Sequence, residues 1–226
     1  MTSRICVSIL PRNNIEALDL IKRAEKAKAD LIEVRLDYFG TSVDLSALVK
    51  SANVSLIATN RTTSEEGFFD GTEVERQHTL LNAAQNGFEY VDVSLSSPKN
   101  QETIDELKQY GAEAIVSYHK FDGALRVTEM GKVLEREIAL RASVCKIVGT
   151  ASKVEDNIAI FNFVASHSSK AKLVCFCMGE AGKISRLLSP VFGAFFTYAS
   201  LEQGSETAEG QISIGEMRAA YDIFGV

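Results

Sequence analysis

Two side chains in this sequence could carry out carbonyl chemistry together, the amine of Lys146 and the imidazole of His119. In Val144-Cys145-Lys146-Ile147-Val148-Gly149-Thr150 strict alternation puts Lys146 on one face with Val144 and Val148. If that face looks into a barrel, the amine stands in an apolar channel, where desolvation favours the neutral form that attacks a carbonyl. The preceding β-rich run ends Ser117-Tyr118-His119, and neighbouring strands lie about 4.8 Å apart, so a base and a nucleophile at these ends can meet one substrate. Taken singly, each has a plainer reading: a lysine that snorkels at a sheet edge, and a histidine hydrogen-bonded in a core.

Charged groups recur at other strand ends. In Leu31-Ile32-Glu33-Val34-Arg35-Leu36-Asp37 alternation throws Glu33, Arg35 and Asp37 onto one face and Ile32, Val34 and Leu36 onto the other, the pattern of a strand backed by helices and facing a cavity. The third β-rich run ends at Arg61 and leads into Glu65, where the cation could hold an anionic or hydroxylated substrate and the carboxylate could orient an imidazole; a solvated loop with an incidental ion pair reads equally well. The fourth run adds Asp92 and Ser94, in either a functional or a structural ion pair. Arg186, after Met178-Gly179, can fork onto a carboxylate, or be an ordinary solvated helical arginine. The loop from Gln203 to Gln211, rich in glycine and hydroxyls, suits a flap over a cavity or a surface turn.

The elements that must position these groups are legible as eight β-rich runs: Ile5–Ile9, Leu31–Tyr38, Ser55–Arg61, Tyr90–Leu95, Glu113–Phe121, Val144–Ala151, Leu173–Gly179 and Phe195–Leu201. Helical patterns fall between them at Asn14–Ala29, Glu73–Asn86, Asn100–Tyr110, Val127–Arg141 and Lys153–Ser166, and Ile212–Ile223 closes the chain. This predicts an α/β fold, a (βα)8 TIM barrel in a single domain over 1–226. A doubly wound sheet is the rival, but its Gly-rich phosphate turn is missing where the first run continues into Leu10-Pro11-Arg12-Asn13. In a barrel the reactive groups gather at the C-terminal strand ends, where those named above lie.

With 226 residues and 46% hydrophobic content the chain can bury a full core. A net charge of −6 without a dense Lys/Arg block argues against nucleic acid or an anionic membrane as partner. The apolar start, Ile5 to Leu10, is too short for a signal peptide or a span, so a soluble, cytoplasmic protein is expected. Cys6, Cys145, Cys175 and Cys177 lie in β-rich runs without Cys-x-x-Cys spacing and read as buried free thiols. His78 and His167 read as surface positions, which leaves His119 alone at a rim and too few ligands for zinc.

In order along nearly the whole chain, Glu33-Val34-Arg35-Leu36-Asp37, Arg61-Thr62-Thr63-Ser64-Glu65, Ser117-Tyr118-His119, Lys146-Ile147, Met178-Gly179 through Ser185-Arg186, and Ala208-Glu209-Gly210-Gln211 resemble the type I 3-dehydroquinate dehydratases. The resemblance implies a (βα)8 barrel that dehydrates 3-dehydroquinate to 3-dehydroshikimate through a Schiff base, with no metal or organic cofactor. It implies that Lys146 forms the imine, that His119 moves the C2 proton and assists the C1 hydroxyl, and that Glu65 orients His119. Arg186 then clamps the substrate carboxylate, Glu33, Arg35 and Arg61 wall the ring, and Ser8, Thr207 and Gln211 make further contacts. Relatives are often homodimers, for which Met217, Tyr221, Ile223 and Phe224 could supply an apolar interface or could instead cap the barrel. The chain departs from the family pattern at Glu66, where glycine is common, at Thr207 in place of serine, and at Glu209 in place of proline, which puts a negative charge near an anionic substrate. A class I aldolase using Lys146 and a non-catalytic carboxylate-binding barrel are the alternative readings.

Overall fold

Alternation along each β-rich run gives a strand with one face for helices and one for the barrel interior, and the computed structural model, which describes residues 3–40 and 42–226, closes eight such strands around one axis. The elements run β1 (Ile5–Ile9), α1 (Asn14–Lys26), β2 (Leu31–Arg35), α2 (Leu45–Ser51), β3 (Ser55–Thr59), α3 (Glu73–Gln85), β4 (Tyr90–Ser94) and α4 (Asn100–Gln109). They continue as β5 (Glu113–His119), α5 (Val127–Ala139), β6 (Val144–Thr150), α6 (Asp156–His167), β7 (Leu173–Met178), α7 (Lys183–Leu188), β8 (Thr197–Ala199) and α8 (Ile214–Phe224). The strands are parallel in the order β7-β6-β5-β4-β3-β2-β1-β8. Between β8 and β7 the Phe195 N–H donates to the Leu173 carbonyl at 2.7 Å, which draws the two ends of the sheet together. The fold is the expected (βα)8 barrel.

Several boundaries move. β2 stops at Arg35, and Leu36–Tyr38 is one 3-10 turn, so Asp37 leaves the inward row that alternation assigned it. Its carboxylate turns back and accepts from Arg35 Nε at 2.9 Å and Nη2 at 2.6 Å. β3 likewise ends at Thr59 and β8 at Ala199, because the β-rich composition outlasts the ladder hydrogen bonds. α2 and α7 escape a periodicity search at seven and six residues, about two turns, too short to repeat a 3.6-residue pattern. α8 starts at Ile214, not Ile212, because the Ser213 side chain caps the Glu216 N–H and Glu216 answers.

The outward faces, with Ile32 and Val34 beside Ile21 and Leu48, form the sheet-to-helix core. The inward faces form a second apolar cluster, in which Cys6, Leu31, Ile57, Ile115, Val144 and Phe196 make the barrel floor. Above that floor the inward residues turn polar, as Glu33, Thr59, Asp92, Ser117 and Lys146, all buried. The four cysteines are buried and free. His78 is exposed on α3, and His167 ends α6 half-buried with Nδ1 at 3.0 Å from the Phe163 carbonyl. α8 divides its apolar residues: Met217 and Tyr221 are buried, whereas Ile223 is 82% and Phe224 53% exposed. Among the described residues no helix is long and apolar enough to cross a membrane, and no group of three His, Cys, Asp or Glu is placed to hold a metal ion.

Candidate active site

The register decides which groups meet. Ser117 on β5 pairs with Lys146 on β6 on one side and with Ser94 on β4 on the other, and His119 pairs with Val148. Lys146 and His119 therefore line one cavity at the C-terminal mouth, together with Glu33, Arg35, Arg61, Glu65, Arg186, Thr207 and Gln211. Ser8 is the exception among the predicted site residues. It stands beside Glu33 as its register partner, donates to Glu33 Oε2 at 2.5 Å and lines a separate crevice beside the β8 loop, so it braces Glu33 instead of lining this cavity.

The expectation of an apolar channel around the amine is half right. Val144 and Val148 flank Lys146 along β6, but its Nζ lies 3.0 Å from Asp92 Oδ2, 3.7 Å from Glu33 Oε1 and 3.1 Å from the Tyr198 hydroxyl. Inward carboxylates on β2 and β4 thus pair with the amine across the barrel, which the pattern of β6 alone could not reveal. Asp92 also accepts from Arg61 Nη2 at 2.9 and 3.0 Å and from the Ser117 hydroxyl at 2.7 Å. Burial would raise its pKa, but the Arg61 and Lys146 cations outweigh that and hold the carboxyl well below the usual carboxylate range.

Those cations also set the state of His119. Burial first, then Arg61 and Lys146, push the imidazole well below 6.5, so at neutral pH it is an unprotonated base. Its ring stacks on Phe121 with centroids 6.0 Å apart, and Nδ1 is buried without a hydrogen-bond partner among the described residues. The predicted orientation of His119 by Glu65 is not made: Glu65 Oε1 accepts from Ser94 and Ser96, and Oε2 stands 3.8 Å from Arg61 Nη1. The reason is local backbone. Glu65 ends a 3-10 turn and Glu66 adopts the left-handed conformation at φ 58°, which turns Glu65 inward to Ser94 at the end of β4 and Ser96 just beyond it and leaves Glu66 exposed at the rim. That left-handed position explains why glycine suits residue 66, and Gly67 is required outright, since a Cβ there would lie 2.2 Å from the Arg61 carbonyl.

Of the cations that line the cavity, Arg186 is the one without a counter-charge among the described residues. It is 1% exposed, its guanidinium lies 4.4 Å above the Phe176 ring, Nη2 reaches the Glu209 carbonyl at 3.4 Å, and Nε has no partner among the described residues. Burial alone drives its pKa down to about 10, so the site is electrostatically complete only with an anion beside it. The closing loop meets it from above. Gln211 accepts from the Thr207 N–H at 2.7 Å and donates to the Thr207 hydroxyl at 2.9 Å, fixing both over the mouth. Glu209 is exposed and lines a neighbouring surface crevice instead of this cavity; its carbonyl accepts from Arg186 and from the Gly179 N–H.

The model of the type I 3-dehydroquinase family matches residues 5–226. The chain belongs to the type I 3-dehydroquinases. It is 34% identical over 223 residues to the 3-dehydroquinate dehydratase of Desulfotalea psychrophila, covering 96% of both chains, and 34% identical over 217 residues to that of Thermococcus onnurineus, again 96% of each. A solved 3-dehydroquinate dehydratase from Geobacillus kaustophilus has the same fold, with a TM-score of 0.92 at 22% identity over 100% of this chain and 92% of that one. The Aquifex aeolicus enzyme superposes with a TM-score of 0.82 at 26% identity over 98% of each chain. As a type I 3-dehydroquinase the chain is a hydro-lyase, converting 3-dehydroquinate to 3-dehydroshikimate and water in the shikimate pathway, which sets aside the aldolase and the non-catalytic binder.

Sequence reasoning about this dehydroquinase site passed over Tyr198, Thr59 and Phe176. Tyr198 and Phe176 line the cavity, and the Thr59 hydroxyl donates to Glu33 Oε1 at 2.9 Å. The signal was present: Ile57-Thr59-Arg61 and Phe196-Tyr198 each keep the inward parity. It was overlooked because uncharged residues on an inward face look like core.

Proposed function

We propose that Lys146 forms an imine with the ring ketone of 3-dehydroquinate and that His119 carries the protons. A protonated imine is an electron sink that makes the adjacent C2 proton removable by an imidazole, and the same imidazole, once protonated, can return its proton to the departing C1 hydroxyl. The supporting observation is the convergence on one cavity of an inward lysine, an unprotonated buried imidazole and an arginine with no carboxylate partner among the described residues. In this reading Arg186 holds the substrate carboxylate, Glu33, Arg35 and Arg61 face the ring hydroxyls, and Thr207 with Gln211 closes the mouth. Glu65 acts through Arg61, Ser94 and Ser96, and Ser8 acts through Glu33. A solved type I 3-dehydroquinate dehydratase from Clostridium difficile is described with covalently modified comenic acid, which fits a covalent nucleophile in such barrels.

The reaction needs no metal or organic cofactor in this scheme, because the imine supplies the electron sink. The whole barrel is one catalytic domain, working in the cytoplasm on a small anionic substrate, without nucleic acid. Ile223 and Phe224, exposed at the end of α8, favour a homodimer, which light scattering would measure. The test of the chemistry is ultraviolet absorbance of the conjugated enone product, paired with borohydride reduction during turnover. Enone formation should vanish in Lys146→Ala, and the reduced mass increment should sit on the Lys146 peptide. Turnover with no increment on that peptide would end the imine reading.

A further inference from the structure

We infer that Tyr198 is a second catalytic acid–base group, whose hydroxyl relays a proton between Lys146 and the carbonyl oxygen of the substrate while the imine forms. The inference rests on Lys146 being the imine-forming residue.

Tyr198 is 3% exposed and lines the same cavity, and its Oη lies 3.1 Å from Lys146 Nζ. Nζ also sits 4.2 Å from the centre of its ring, so the phenol cannot move away without uncovering the amine. β8 holds it there: Cys6 on β1 is its register partner, Phe196 meets it edge-on at 5.5 Å, and the neighbouring Thr197 hydroxyl donates to the Arg186 carbonyl at 2.6 Å. The Nζ contact is the one hydrogen bond of Oη among the described residues, and in it Oη is the acceptor. The phenolic O–H is therefore free to point into the cavity, beside the atom that must attack. Burial, with Glu33 next, keeps this phenol protonated, its pKa well above 10.

The steps balance. Lys146 gives its ammonium proton to the neutral His119 imidazole. The Nζ lone pair then forms the C–N bond, the carbonyl π pair moves to oxygen, and that oxygen takes the Tyr198 proton. The phenolate is reprotonated by the nitrogen it already touches, which leaves a neutral carbinolamine. The His119 imidazolium protonates the carbinolamine hydroxyl, water departs, and the iminium remains with a neutral imidazole ready for the C2 proton. Tyr198 carries the proton between nitrogen and oxygen in the addition step, and His119 carries the protons before and after it.

The experiment is rapid-quench borohydride trapping on wild type and Tyr198→Phe, with unlabelled and C2-deuterated 3-dehydroquinate. Loss of a general acid–base group costs about 100-fold or more, so the Lys146 adduct should form about 100-fold more slowly in Tyr198→Phe. Because imine formation then limits turnover, the C2 deuterium effect on kcat should collapse toward one. Trapping at the wild-type rate, or slower turnover with the full isotope effect kept, would overturn the relay and leave Tyr198 as packing. Absence of an adduct in wild type itself would instead strike at Lys146, which keeps the two failures apart. Should Tyr198→Phe unfold, a fluorinated tyrosine at 198 preserves the shape and acidifies the phenol; it should shift the pH dependence of trapping, and an unshifted profile would overturn the proposal.

Discussion

Replacing Arg186 by methionine should weaken substrate capture and strengthen the fold at once. The guanidinium is buried and has no carboxylate partner among the described residues, and burial lowers its pKa from 12.5 to about 10. At about 1.36 kcal/mol per tenfold change in acidity, the empty site penalises the cation by about 3 kcal/mol. A substrate carboxylate removes that penalty on binding. Methionine keeps an unbranched chain against Phe176 but offers no charge, so about 3 kcal/mol of binding is lost, roughly 150-fold in kcat/KM. The carboxylate does not change during dehydration, so the loss should fall on KM with kcat nearly kept. The free protein no longer buries a lone charge, so its melting point should rise, at about 2–4 °C per kcal/mol for a chain of this size. Enone kinetics and thermal unfolding on one preparation read both. A variant with unchanged KM would show that Arg186 does not hold the carboxylate, and one that melts lower would show that the guanidinium is satisfied in the free protein.

The remaining predictions follow from single contacts. As pH falls, the unfolded chain protonates His119 near 6.5 before the native state does, so stability is full above that pH and is lost below it, by up to about 1.4 kcal/mol per pH unit. His119→Gln should remove this slope, and urea titrations at about pH 7 and 5 that fall in parallel for both proteins would contradict it. Glu65→Gln should lower kcat by less than about tenfold and leave the acid limb of the pH profile in place, because Glu65 hydrogen-bonds Ser94 and Ser96 and not the imidazole; a shifted acid limb would restore the orienting role. Gly210→Ala should raise KM about tenfold, since Gly210 has φ 74° and its added Cβ would meet the Gly179 carbonyl at 2.1 Å, lifting the loop from Arg186. Glu209→Gln should move KM by less than about threefold, its side chain being exposed and outside the cavity; a larger drop would mean that the charge repels the entering substrate.

Alternation and element order were enough to read the barrel. Period two in runs such as Leu31–Arg35 assigns each side chain to a face without knowledge of neighbours, and eight such runs separated by helical patterns admit few topologies. The same parity placed Glu33, Arg61, His119 and Lys146 at the mouth, where they line one cavity. What alternation could not supply is pairing across strands. Asp37 sits in a turn where the pattern promised strand, Ser8 meets Glu33 instead of the cavity, and Glu65 reaches Ser94 on β4. Each depends on where a loop turns or how adjacent strands register, and those are settled by hydrogen bonds between segments far apart in the chain.

The division has one physical cause. Local sequence sets backbone conformation and the direction of each side chain, so fold class, wall residues and the candidate nucleophile and base belong to the sequence alone. Charge state and reactivity depend on distances between groups that the chain brings together only on closing the barrel: Lys146 on Asp92 across 54 positions of sequence, Tyr198 across 52. Electrostatic and hydrogen-bond energies fall steeply over a few ångströms. The unprotonated imidazole, the unpaired arginine and the phenol against the amine are therefore properties of the tertiary structure.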